Sequence, residues 1–205
     1  EEGMSDDEIL AAHGILSYSQ TLEWKGAVEY CMTDRNGTAI EKKIDTSLNY
    51  YGTVLNAQTL EHAVPNLRNS VEKIIVIENK ANYESMEYDP KVLYIFCHGY
   101  FSPKEVRFLQ MLMKTASEEI QCYHWGDMDY GGIQIFLYNE KNIFPNLIPW
   151  KMDVPSYKAA LEKEKGIKLC SKKQKKLEAL NAGKLEVLKQ CILENKMEIE
   201  QEMLI

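Results

Sequence analysis

The sequence predicts an α/β fold, a mostly parallel four-stranded sheet flanked by helices, with an N-terminal β-hairpin extension and C-terminal helices. Three observations carry that reading. Lys73-Ile74-Ile75-Val76-Ile77 is a continuous β-branched run, as a parallel strand buried on both faces requires. From there on, strand-like runs alternate with helix-period segments, which implies right-handed crossovers and a parallel sheet. Ahead of them, Asn36-Gly37 separates two strand-like runs and is a hairpin turn signal. The division that follows is 1–65 for the extension and 66–205 for the α/β domain with its C-terminal helices.

In order along the chain, Ile9, Leu10, Ala12, His13, Ile15 and Leu16 suggest a short helix within 5–20, with Ser5 as a candidate cap. Residues 22–45 read as the β-hairpin, and Thr59 to Ala63 as a short helix ended by Pro65. Lys73–Ile77 is the first parallel strand and Lys91 to Cys97 the second. Ser102-Pro103-Lys104-Glu105 opens a helix with a cap, a proline at the first helical position and a capping-box glutamate. Val106, Leu109, Leu112, Met113 and Ala116 continue it at helical spacing. Ile120 to Trp125 is the third strand, Gly131 to Tyr138 the next helix, and Leu147 to Trp150 a short fourth strand. A helix then starts at Pro155-Ser156 and runs to about Lys165, where Gly166 ends it. From Ser171 onward, Leu177, Leu180, Leu188, Ile192, Ile199 and Met203 predict helices broken at Gly183.

Composition narrows the class. Apolar residues at 45% and charged residues at 27% suit a globular domain, not a disordered one. No apolar run approaches the 18 or so residues of a membrane span, and no signal-peptide pattern opens the chain. Cys31, Cys97, Cys122, Cys170 and Cys191 are scattered and form no Cys-x-x-Cys pair, so reduced thiols in a cytoplasmic protein are expected. The net charge of −7 argues against a uniformly basic nucleic-acid binder, yet residues 158–189 hold ten Lys against four Glu. That local excess reads either as a solvated helix or as an interaction surface.

Sites on parallel sheets gather at the carboxyl ends of the strands. Three acids are expected there: Glu78 directly after Ile77, and Asp127 and Asp129 after Trp125. Converging carboxylates repel one another unless a cation neutralises them, and hard oxygen donors favour Mg2+ or Mn2+. Gly131 and Gly132 let the following backbone pass close to an ion or a phosphate. An Asp-x-Asp pair also occurs in haloacid-dehalogenase-like phosphatases and in glycosyltransferases. The former place it after their first strand with Thr or Val where Gly131 stands; the latter rarely pair it with an upstream strand-end Glu. Asn79, Lys80, His98, Gly99 and Gly131 are candidate phosphate or DNA contacts near the rim, as are Lys172, Lys173, Lys175 and Lys176 in the basic segment. His124 lies near the same rim, with a structural role the plainer reading. Trp125 is expected to pack in the core.

A Glu after one strand and Asp-x-Asp after a later one resembles the Toprim signature. Val76-Ile77-Glu78-Asn79 with Tyr83, and Tyr123 to Ile133 with its Trp-Gly-Asp-x-Asp-x-x-Gly spacing, resemble the JetD family of Wadjet plasmid-defence systems. The stretch Tyr94 to Leu109, with its Gly99 turn, and Glu200-Gln201-Glu202 also fit, so the resemblance covers roughly 50–205. That family is similar to the A subunit of topoisomerase VI. The resemblance implies a Toprim-like, metal-dependent DNA endonuclease, with Glu78, Asp127 and Asp129 as metal ligands and catalytic residues. Its expected partners are double-stranded plasmid DNA, a condensin-like SMC complex and a second copy in a homodimer. None of the twelve Tyr residues matches the topoisomerase nucleophile, so hydrolysis by activated water is expected instead of a tyrosyl intermediate. Two other classes stay open: a DNA-binding or assembly module with a degenerate site, and a nucleotide phosphohydrolase.

Overall fold

The computed structural model describes residues 21–34 and 36–204. The helix expected within 5–20 lies outside the described residues. Eleven strands are described: β1 (Thr21–Lys25), β2 (Val28–Thr33), β3 (Ala39–Asp45), β4 (Thr53–Asn56), β5 (Ala63–Leu67), β6 (Lys73–Ile77), β7 (Val92–Phe96), β8 (Gln121–Trp125), β9 (Ile148–Pro149), β10 (Ile167–Lys168) and β11 (Met197–Glu198). The helices are α1 (Ala57–His62), α2 (Lys80–Ser85), α3 (Pro103–Met113), α4 (Tyr130–Asn142), α5 (Val154–Glu162), α6 (Ser171–Ala179) and α7 (Glu186–Asn195).

The main sheet runs β4-β1-β7-β6-β8-β9. Strands β7, β6, β8 and β9 are parallel, and they are the four expected from the sequence. Strand β6 occupies the middle because Ile74, Val76 and Ile77 can be buried completely, at 0% exposure, from both sides. One face of the sheet, through Ile74, Val76, Leu93 and Ile95, packs on Phe108, Leu109, Ile133 and Phe136 of α3 and α4. The opposite face carries Ile75, Ile77, Val92 and Trp125 with Tyr83 of α2.

The N-terminal region departs from a single hairpin. Residues 28–45 form the expected antiparallel pair, β2 with β3, and β5 completes a separate three-stranded sheet. Residues 21–25 instead join the main sheet, pairing antiparallel with β7 and β4. The switch occurs at Gly26, whose φ of +143° suits glycine and whose backbone passes against β7 too closely for a Cβ. Trp24 is thereby carried into the core, 2% exposed, and its indole N–H donates to Thr46 Oγ1.

Five elements have no counterpart in the sequence pattern: strands β4 and β5, the latter holding Pro65, helix α2, and strands β10 and β11. Helix α2 is only six residues long and mostly polar. Strands β10 and β11 form a small antiparallel pair that brings the segment after α7 back toward the main sheet. The C-terminal helices are α6 and α7, and a 3-10 turn at Gly183–Leu185 lies at the expected break. All five cysteines are free, with Cys97 and Cys122 buried.

Candidate metal centre

Strands β6 and β8 are adjacent and parallel, with Ile77 opposite Trp125. They therefore deliver Glu78 and the Asp127 loop to one rim. The ladder extends one step further, the Glu78 N–H donating to the Trp125 carbonyl at 3.0 Å. The Asp127 N–H points at Glu78 Oε2, 3.4 Å away. Gly126 leaves room for that carboxylate, since a Cβ there would lie 2.5 Å from Glu78 Oε2.

Asp129 is the N-cap of α4, and its Oδ1 accepts from the Gly132 N–H at 2.8 Å. Gly132 is the glycine the loop needs: a Cβ there would fall 2.1 Å from the Asp127 carbonyl oxygen. At Gly131 the nearest atom would be 3.3 Å away, so the close approach belongs to its neighbour.

The acids are electrostatically uncomfortable. Burial, followed by the charges of Asp127 and Asp129, pushes the Glu78 carboxyl up to about 7. Burial also raises Asp127, against the pull of the Gln201 N–H that donates to its Oδ1 at 2.6 Å. Only one cation touches the trio among the described residues. Lys173 Nζ lies 2.9 Å from Asp129 Oδ2 and 3.0 Å from Glu198 Oε2. Burial alone would lower the Lys173 pKa, but its bonds to these two carboxylates overcome that and raise it well above the usual lysine range. Glu198 is 5% exposed, and burial outweighs Lys173 to push its carboxyl up.

A segment far along the chain closes the rim. Met128 and Ile199 exchange backbone hydrogen bonds of 2.8 and 3.3 Å. Gln201, wholly buried, accepts the Asn79 N–H on its side-chain oxygen at 2.8 Å while its own N–H holds Asp127. Its carbonyl accepts from Asn82 Nδ2 at 3.1 Å. Gln201 thus ties the Glu78 turn to the Asp127 loop.

Among the described residues, no three His, Cys, Asp or Glu side chains are already gathered at metal-binding distances. The donor chemistry nevertheless fits a hard divalent ion. Glu78 Oε1 and Asp127 Oδ2 take no hydrogen bond among the described residues, and a cation would relieve the repulsion that raises both acids. Asp129 is turned to Gly132 and Lys173.

The other candidates separate into two groups. Asn79 caps α2 through Asn82 N–H and donates to Glu202, and Lys80 pairs with Glu23 and lies over the Tyr83 and Phe96 rings. Both are committed to internal contacts. Gly99 takes a φ of +116° in the loop after β7. His98, in the same loop, contacts Glu105 Oε1 through Nε2 at 2.9 Å, and that bond is the main cause of its raised pKa. Lys172, Lys175 and Lys176 are exposed on α6, with Lys176 over the Tyr130 ring at 5.1 Å. His124 lies buried just behind the rim: a Cβ at Gly126 would fall 2.9 Å from its Nε2 and 2.5 Å from Glu78 Oε2. It packs on β8 against Phe136, neither ring nitrogen has a hydrogen-bond partner among the described residues, and burial lowers its pKa to about 3. Trp125 packs in the core against Trp150, as expected. The roles of Gln201 and Glu198 do not follow from the sequence, where the Glu200-Gln201-Glu202 run is the only trace of them.

Residues 33–205 match the family model described as Wadjet protein JetD, C-terminal. The chain is 32% identical over 146 residues to Wadjet protein JetD of Bacillus cereus (strain Q1). That alignment takes in 65% of this chain and 34% of the relative, so the chain spans about a third of the length of the protein it matches. No helix among the described residues is long and apolar enough to cross a membrane.

Proposed function

The chain belongs to the JetD family, in the portion its C-terminal model describes, and on that premise we propose that it is a Toprim-like DNA endonuclease domain of a Wadjet defence system. The observation that carries the reading is the placement of Glu78, Asp127 and Asp129 at the carboxyl ends of two adjacent parallel strands. The substrate is double-stranded plasmid DNA, the cofactor Mg2+ or Mn2+, and the assembly a homodimer working with a condensin-like SMC complex. Glu78, Asp127 and Asp129 would hold the ion, which when bound supplies positive charge against the phosphate and acidifies a nearby water.

The chain's own groups have distinct tasks. Asp127 is held in place by the Gln201 N–H, which leaves its second oxygen without a hydrogen bond among the described residues and open to a ligand. Glu78, whose carboxyl is raised by burial and by the two neighbouring aspartates, would be drawn to its charged form by a bound cation. Helix α6 reaches the acids through Lys173, and its exposed Lys172, Lys175 and Lys176 suit the backbone of a polyanion.

The test is nicking or linearisation of supercoiled plasmid by the chain with magnesium or manganese. Wild type should cut, and Asp127→Asn/Asp129→Asn should lose at least about a hundredfold in rate. Chelator should stop the reaction. One observation favours a second reading, a DNA-binding assembly module without chemistry: Asp129 is already paired with Lys173. Plasmid binding with no cleavage at any metal concentration would decide for that module.

A further inference from the structure

We propose that Lys173 is a tethered cation that keeps divalent metal off Asp129 until the phosphates of a nucleic-acid backbone draw its ammonium away. The proposal rests on the reading of the acidic rim as a metal site.

Of the three acids, Asp129 alone carries a cation among the described residues. Both of its oxygens are in use, one by the Gly132 N–H and one by Lys173. A divalent ion on the same carboxylate would sit within a few ångströms of the ammonium, and like charges at that range oppose each other strongly where water is partly excluded. Metal and Lys173 therefore compete for Asp129.

The two anchors of Lys173 are unequal. The Glu198 side chain is 7% exposed, and its Oε1 is buried with no hydrogen-bond partner among the described residues, so releasing the ammonium from Glu198 would strand a buried charge. The Asp129 side chain, at 19%, opens onto the rim. Exchange belongs at Asp129, while Glu198 keeps the lysine within reach. An ammonium has three donors, and the two carboxylates take two of them.

What would draw Lys173 off is set by its neighbours. It projects from α6 among the exposed Lys172, Lys175 and Lys176, and its own side chain is 42% exposed. A phosphate backbone attracted to that helix arrives next to an ammonium with a donor to spare. Nucleic acid and metal then help each other to bind, and the coupling must be reciprocal.

The experiment measures Mn2+ binding to the whole chain by electron paramagnetic resonance, with and without a short DNA duplex. Wild type should bind Mn2+ about tenfold more tightly with duplex present. Lys173→Met should bind tightly without duplex and gain little from it, whereas Lys173→Arg should behave as wild type. Should Lys173→Met fold poorly around the unpaired Glu198, Lys173→Met/Glu198→Gln removes both charges and should show the same tight binding. Unchanged Mn2+ affinity in these variants, or equal tightening by duplex in variant and wild type, overturns the gate. If no chain binds Mn2+, or if Asp127→Asn/Asp129→Asn binds it as wild type does, the metal-site reading falls and the gate with it.

Discussion

His98 and Glu105 show how much one pair of side chains is asked to do. Glu105 is wholly buried; one oxygen meets His98 Nε2 and the other accepts the Ser102 N–H at 2.7 Å. The bond to Glu105 raises the His98 pKa. A raised histidine contributes stability fully below its unfolded pKa of about 6.5 and loses it as pH climbs through the higher folded value. Chemical denaturation at pH 6 and pH 8.5 should therefore show wild type losing more stability than His98→Gln over that interval. Equal losses would mean that the pair does not titrate as a unit. Gly132 makes a steric claim instead. Gly132→Ala puts a methyl 2.1 Å from the Asp127 carbonyl oxygen, so the loop must move, at a cost of about 3 kcal/mol. A melting temperature unchanged by that substitution would show the loop to be soft.

At the scale of elements, helix α3 depends on the same glutamate. Glu105→Ala removes the acceptor for Ser102 N–H and leaves His98 without its partner, and should destabilise the fold by about 1–3 kcal/mol. Glu105→Gln keeps an acceptor and should recover part of that loss in the same denaturation measurement. This helix is legible in the sequence because its cap, proline and glutamate all lie within four residues. Strand β6 is legible for a related reason: a strand buried on both faces cannot alternate, and Ile74 to Ile77 do not. Strand β1 is not, because what recruits it is β7, with Trp24 opposite Ile95 some seventy residues away. Helix α2 has one buried ring, Tyr83, in a short polar run, too little for a periodic signal. The site divides in the same way. Glu78, Asp127 and Asp129 follow from where strands end, whereas Lys173 and Gln201 meet those acids across 44 and 74 residues of chain, which no local pattern encodes.

Across the whole molecule, charge is unevenly spread: a chain of net charge −7 holds an exposed basic helix beside its acidic rim. If α6 meets DNA, binding should weaken steeply with salt. Lys172→Glu/Lys175→Glu/Lys176→Glu should then reduce the log affinity versus log salt slope by roughly 0.9 for each phosphate that the helix no longer neutralises. Fluorescence anisotropy with a labelled duplex over a series of salt concentrations reads this directly. An unchanged slope would move the DNA surface elsewhere. The substituted lysines are exposed, so folding itself should be preserved.

The strut formed by Gln201 also sets a clock on biosynthesis. Asn79 and Gln201 are 122 residues apart in the chain, so a ribosome adding about 5–20 residues per second delivers the second about 6–24 s after the first. From the moment Asp129 is added, the nascent protein carries both acidic turns without the residue that joins them. The rim is thus completed only after synthesis has passed Gln201, long after the strands that carry its acids have left the ribosome.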